Sequence, residues 1–272
     1  ERRLVEEAYR RQADMYYSAG DFDACIQVYR RAIESQQEAA GRARMQLLLA
    51  NRFFETGHFA EAIEEYNVFR YTYAELAERV GLPLEGAGLQ VAKAWFGRAE
   101  AAGADSAAGH LRQAELELRR TLAASPKSGF DGELRFNLAL ALQRQGGTDR
   151  LREAAGMFAA LREQLGPAGL GRSALFQAAR VQVQLEQFEP AAAAYRQLIE
   201  ECGGAPEADI ARLELGLVLR DRGDAEAALA QLAAVRSGSP LFARSRLEAG
   251  QLLSARGERE RAIAVFEEGL GG

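Results

Sequence analysis

Cysteine and lysine are nearly missing from this chain, and each shortage closes a class of explanation. Cys25 and Cys202 are the only cysteines, too few for a disulfide framework, and no Cys or His pair has metal-ligand spacing. No metal and no cofactor is therefore expected. Lys93 and Lys127 are the only lysines; arginine supplies the remaining basic charge, a bias that reads as a GC-rich, bacterial coding sequence and carries no functional signal. The net charge is −5, from 34 basic and 39 acidic residues scattered along the chain. Nucleic-acid binding leaves a basic stripe, and none is visible, so nucleic acid is not an expected partner. No apolar run approaches the roughly 20 residues that span a bilayer, so no membrane span is expected in this chain.

Catalytic constellations are missing too. His58 and His110 are the only histidines, and each falls at a predicted hairpin turn. There is no H-E-x-x-H, no G-x-S-x-G and no Cys–His signature. Gly103 to Gly109 resembles a phosphate loop superficially, but it lacks the Gly-Lys-Ser/Thr ending and follows no strand. Glu61, Glu64 and Glu65 read as solvated helix acids. Cys25 reads as a small core residue rather than a nucleophile. No catalytic residue is expected, and the chain is not expected to be an enzyme.

The chain opens on Glu1 rather than Met, which reads as a processed or excised polypeptide. Bacterial cytoplasm and periplasm are equally compatible with it.

What is abundant is a repeated pattern. Alanine, leucine, glutamate, glutamine and arginine dominate, all good helix formers, and only 6 prolines interrupt them. Compare GDFDACIQVYRRAI (20–33), GHFAEAIEEYNVF (57–69) and GERERAIAVFEEGL (257–270). Each has a turn glycine, a small residue five positions on, and an aromatic residue four beyond that. EQFEPAAAAYRQLI (186–199) and GDAEAALAQLAAV (223–235) vary the same plan.

This is the signature of a helical hairpin. Glycine accepts the left-handed conformation that ends the first helix, and Asp21 and Asp224 stand where an acid caps the second. Cys25, Tyr29 and Ala32 share one face of that second helix. Its small residue lets two helices approach, and its aromatic residue fills the space beside them. The small residues of the second helices are Cys25, Ala62, Ala114, Ala154, Ala191, Ala228 and Ala262, at spacings of 37, 52, 40, 37, 37 and 34. Those of the first helices are Ala13, Ala50, Ala99, Ala139, Ala179, Gly216 and Gly250, at spacings of 37, 49, 40, 40, 37 and 34. Two independent rows give one ladder, so an all-α chain of about fourteen helices in seven pairs is expected. An irregular α-bundle would not need the small residues to recur in phase.

The ladder resembles the tetratricopeptide-repeat family, whose pattern is W-x2-L-G-x2-Y, then A-x3-F, then P. Leu215–Gly216, Ala228 and Pro240 carry the resemblance best; Trp95, Ala99, Ala114 and Pro126 carry it in the third unit. The resemblance implies one continuous domain over 1–272, a right-handed superhelical solenoid of about seven hairpins. The third and fourth units have extra residues in their turns, around Gly103–Gly109 and Gly146–Asp149. A longer excursion over about 71–88 extends a helix and then loops through Gly81 to Gly88; it reads as a structural spacer or, alternatively, a binding loop.

In such a solenoid the first helix of each hairpin lines a concave surface. Three residues before each first-helix small position stand Arg10, Leu47, Phe96, Phe136, Phe176, Leu213 and Leu247, with Asp14, Asn51, Asn137, Gln177 and Arg180 nearby. The candidate contacts are accordingly Phe96, Phe136, Phe176 and Leu213, with Asn51, Asn137, Gln177 and Arg180 as polar neighbours. Either the apolar row seals neighbouring first helices, or part of it is exposed as a track for a peptide or amphipathic helix. The lysine–asparagine clamp that some members of the family direct at a terminal carboxylate has no counterpart here.

A protein-binding adaptor is thus the leading expectation. The alternatives are a self-associating module, through a C-terminal end that no polar helix covers, and a non-catalytic regulatory arm of a larger enzyme or transporter.

Overall fold

The computed structural model describes residues 2–125 and 128–271. Among them are fifteen helices and no strand, and their contacts separate two compact units, Glu1–Gln145 and Gly146–Gly272. In the first unit lie α1 (Arg2–Ser18), α2 (Phe22–Ser35), α3 (Ala39–Glu55), α4 (Phe59–Thr72), α5 (Ala74–Val80), α6 (Leu84–Ala101), α7 (Ala104–Ala124) and α8 (Asp131–Gln145). The second holds α9 (Thr148–Leu165), α10 (Gly169–Gln184), α11 (Phe188–Cys202), α12 (Pro206–Asp221), α13 (Ala225–Ala233), α14 (Phe242–Ala255) and α15 (Arg259–Gly271).

Chain order governs packing in both. The first unit pairs α1 with α2, α3 with α4 and α6 with α7; the second pairs α10 with α11, α12 with α13 and α14 with α15. α2 then packs on α3, α4 on α6, α7 on α8, and likewise along the second unit.

The small-residue ladder is the reason. All fourteen of its positions are buried. Four residues on in the second helices, Tyr29, Tyr66, Leu118, Phe158, Tyr195 and Leu232 fill the space those small residues leave, and all six are fully buried.

The turns follow from the same repeat. Five hairpins end their first helix with one pair of hydrogen bonds. In α1 these are Gly20 N–H to Tyr17 O (3.0 Å) and Asp21 N–H to Tyr16 O (2.9 Å), the arrangement that closes a helix through a left-handed residue. Gly20, Gly57, Gly223 and Gly257 hold that conformation, and in the fifth hairpin Glu186 holds it without glycine's freedom (φ 59°), at a cost of about 1 kcal/mol. Asp21 accepts from Ala24 N–H at 3.0 Å and Asp224 from Ala227 N–H at 3.4 Å, so both predicted caps form.

Several expectations need correction. The fifteenth helix is α5, inside the 71–88 excursion, closed by Gly81 in the left-handed region. The stretch Gly86–Gly88 is helical rather than looped. It belongs to α6, because α6 meets α7 so closely at Gly88 that a β-carbon there would lie 2.4 Å from Thr121 Oγ1. The extra residues after Gly103 do not widen a turn either; they lengthen α7 at its N-terminus, which places His110 within the helix, stacked on Trp95 at 5.4 Å. Thr148 and Asp149 likewise open α9. Pro126 lies outside the described residues.

Ion pairs link neighbouring repeats. Arg44 grips Glu6 through two bonds of 2.7 and 3.0 Å, and Arg52 donates to Asp14 at 2.5 Å. Arg70 on α4 meets Glu117 on α7 at 2.5 Å. In the second unit Asp209, fully buried, accepts from Arg212 at 2.9 Å and Arg236 at 2.8 Å. Burial pushes the Asp209 carboxyl up, but the two guanidiniums outweigh it and hold the group below the ordinary aspartate range.

Candidate partner-binding surface

The first helices carry the residues in question, and each unit presents its own set. In the first unit, Arg10 is exposed, Leu47 and Phe136 are half-buried, and Phe96 is buried at 8%. The Arg144 guanidinium covers the Phe96 ring at 5.0 Å and also reaches Glu100 at 2.9 Å. In the second unit Phe176 is half-buried, Leu213 is buried at 1%, and Leu247 is 48% exposed. The apolar row is therefore not uniform. Phe96 and Leu213 belong to the packing between helices, whereas Phe136, Phe176 and Leu247 reach the surface.

The polar neighbours also divide. Asn51 accepts a 2.5 Å hydrogen bond from the Tyr66 hydroxyl, so its amide is tied to the hairpin behind it. Asn137 donates to Glu133 O of its own helix at 2.8 Å. Gln177 is half-buried, with its Oε1 buried and unpartnered among the described residues. Arg180 is exposed.

Two features escaped the sequence reading. Arg52 is a node: besides Asp14 it bonds Glu55 at 2.7 Å, approaches the Tyr29 hydroxyl at 3.5 Å and lies over the Tyr17 ring at 4.6 Å. Only the recurrence of an acid 38 residues before Arg44 and again before Arg52 hinted at such pairs. Ile210, 41% exposed, was the other. It precedes Leu213 by three residues, about one helical turn on the same face, which was legible.

Electrostatics here are those of a structural surface. Burial pushes the Tyr66 and Tyr195 hydroxyls above the ordinary tyrosine range, and it raises the Cys25 thiol. Both cysteines are free. Among the described residues no three His, Cys, Asp or Glu side chains gather as metal ligands do, and no helix is long and apolar enough to cross a membrane. An open groove of about 540 Å³ between α1 and α3 is lined by Glu6, Glu7, Arg10, Arg44, Met45 and Leu48 among others, a mixture of both charges with no convergent chemistry.

Comparison with protein families gives two matches. A tetratricopeptide-repeat model covers residues 10–77 and a tetratricopeptide repeat-like domain model covers residues 141–272, so between them they take in most of the chain. This is a tetratricopeptide-repeat protein. Its repeats are, in general, protein–protein interaction modules. The fold is shared with a tetratricopeptide repeat protein from Parabacteroides merdae (TM-score 0.67, 14% identity, 98% of this chain and 93% of that one). The C-terminal part of a TPR repeat-containing protein from Cytophaga hutchinsonii matches similarly (TM-score 0.66, 11% identity, 96% and 94%). BtubC from P. vanneervenii matches at TM-score 0.58 and 17% identity, over 81% of this chain and 89% of that one. At such identities the likeness is one of fold alone. No curated protein matches the chain.

Proposed function

We infer that this tetratricopeptide-repeat protein is a non-catalytic scaffold whose first-helix faces hold a peptide or an amphipathic helix of a partner protein. The observation that carries this reading is that each unit, taken by itself, leaves large apolar side chains accessible on its first helices: Phe136 in the first unit, and Phe176, Ile210 and Leu247 in the second. Burying a Phe, Leu or Ile side chain is worth about 1.5–3 kcal/mol, and a partner supplies the cover that the fold does not. Among the original candidates, Phe136, Phe176, Asn137, Gln177 and Arg180 fit this role. Asn51 contributes through the edge of an amide already held by Tyr66.

The test is selection from a random-peptide display library. Peptides with spaced apolar residues should be retained, and retention should fall about tenfold or more in Phe136→Ser/Phe176→Ser. Because both rings are half-buried, each change should cost less than the roughly 3–5 kcal/mol of a fully buried aromatic. Unchanged retention in a folded double variant would remove the first-helix faces from consideration.

A second reading, self-association, has one observation in its favour: Ile263 on α15 is a large apolar side chain 57% exposed, which a second copy would cover. Solution mass measured across a concentration series separates the two readings.

A further inference from the structure

The second helices build a surface of their own. In the first unit an open groove of about 390 Å³ is lined by Asp23, Ile26, Gln27 and Arg30 of α2, Phe53 of α3 and Glu61 of α4, together with Phe22 and His58. In the second unit a groove of about 310 Å³ is lined by Glu226, Leu229, Ala230 and Ala233 of α13, Leu253 of α14 and Arg261 of α15, among others. Counted from the small residues of the ladder, these stand at the positions of the first set, residue for residue. The repeat itself therefore opens the groove, and the two units differ in its chemistry.

The first groove has an apolar floor and an acidic rim. Ile26 and Phe53 are buried, and the Phe22 ring stacks on His58 at 4.8 Å and meets Phe53 edge-on at 5.7 Å. Asp23 and Glu61 are exposed, each in the first turn of its helix. Neither side chain has an ion pair or hydrogen bond among the described residues. Arg30 stands seven residues beyond Asp23, about 10 Å further along α2. The second groove lacks that rim. Arg261 takes the place of Glu61, Ala233 that of Arg30, and Glu226 is held by Arg256 at 2.7 Å.

We propose that the α2–α4 groove takes a basic side chain, arginine above lysine, from a segment of a partner protein, on a surface separate from the first-helix faces. The aliphatic stem of that side chain lies on Phe22, Ile26 and Phe53, as such stems do on apolar surface while the charged head stays in water. Asp23 and Glu61 hold the cation at the rim. A guanidinium bonds two carboxylates and stacks on an aromatic ring at once, which an ammonium does less well. An acidic side chain meets two carboxylates there, and an uncharged one leaves both without a counter-charge. Arg30 opposes the bound cation from further along the groove and limits affinity.

A separate library selection on the Phe136→Ser/Phe176→Ser chain decides it, because that chain lacks the first-helix anchors. Peptides with arginine beside an aliphatic residue should be enriched, and they should bind the wild type equally well. Asp23→Asn/Glu61→Gln in the wild type should weaken them about tenfold, the sum of two rim ion pairs. Both residues are exposed, and circular dichroism checks that the variant keeps its helices. Arg30→Gln should tighten the same peptides about twofold, an opposite sign that a merely structural disturbance would not give. Glu226→Gln removes a charge at the matching position of the second groove and should leave affinity unchanged. It thereby separates the groove from the general attraction of a chain of net charge −5 for basic peptides. No enrichment of basic residues, or basic peptides that tolerate Asp23→Asn/Glu61→Gln, overturns the groove and leaves the first-helix reading intact. An equal loss in Glu226→Gln overturns it as well.

Discussion

Glu117→Gln is expected to destabilise the first unit by about 3 kcal/mol, the lower end of what breaking a buried ion pair costs. Arg70 and Glu117 have side chains only 12% and 8% exposed, and they meet at 2.5 Å between α4 and α7. Glutamine keeps the shape but removes the charge, leaving a largely buried guanidinium without its counter-charge. Arg120, 3.4 Å from Glu117 and mostly exposed, can be hydrated instead. Trp95 lies in α6 of the same unit and is the only tryptophan, so its fluorescence during urea unfolding reports this unit specifically. The penalty should fall mostly to the unpaired charge. Arg70→Met combined with Glu117→Leu should therefore recover most of the loss. A double variant as weak as the single one would mean that the pair itself, rather than its desolvation, holds α4 to α7.

Ala228→Leu should cost about 1–3 kcal/mol through overpacking. It sits where α12 and α13 touch: a β-carbon added at Gly216 would lie 3.4 Å from Ala228 O and 2.7 Å from Leu232 Cγ. Ala62→Leu tests the same position in the first unit. Glu64→Leu, two residues away on the solvent side, should change stability by no more than about 0.5 kcal/mol. Thermal melts followed by circular dichroism compare the three. Equal melting temperatures would mean that the small residues are not the points of closest approach, and the repeat phase would have to be redrawn.

The hairpins were legible because their constraints are local and repeated. A left-handed turn residue, a cap and a small residue recur in fixed order, and each has a physical reason to stand where it does. The exceptions are equally instructive. Glu186 holds a glycine conformation that no residue type announces, and the repeat phase alone placed that turn. Gly86 and Gly88 read as loop residues because glycine disfavours helix interiors; what favours glycine there, Phe130 beside Gly86 and Thr121 beside Gly88, lies more than 30 residues away in the chain. Helix α5 and the N-terminal extension of α7 are departures from the repeat, and a pattern predicts poorly where it is broken.

The surface was less legible. Sequence position named a row on the first helices, but it could not tell buried Phe96, over whose ring the Arg144 guanidinium of a neighbouring helix lies, from half-buried Phe136. Leu213 and Leu247 share a repeat position and differ from 1% to 48% in exposure.

The central claim is that partners bind the first-helix faces. Its most direct test is site-specific photo-crosslinking with a peptide taken from the display selection. A benzophenone side chain is placed at Leu247 on α14, a first helix, and separately at Arg196, which is exposed on α11, a second helix. Crosslinking from 247 with little or none from 196 is the predicted result. Equal yields, or crosslinking from 196 alone, would contradict the account and move the binding surface to the second helices.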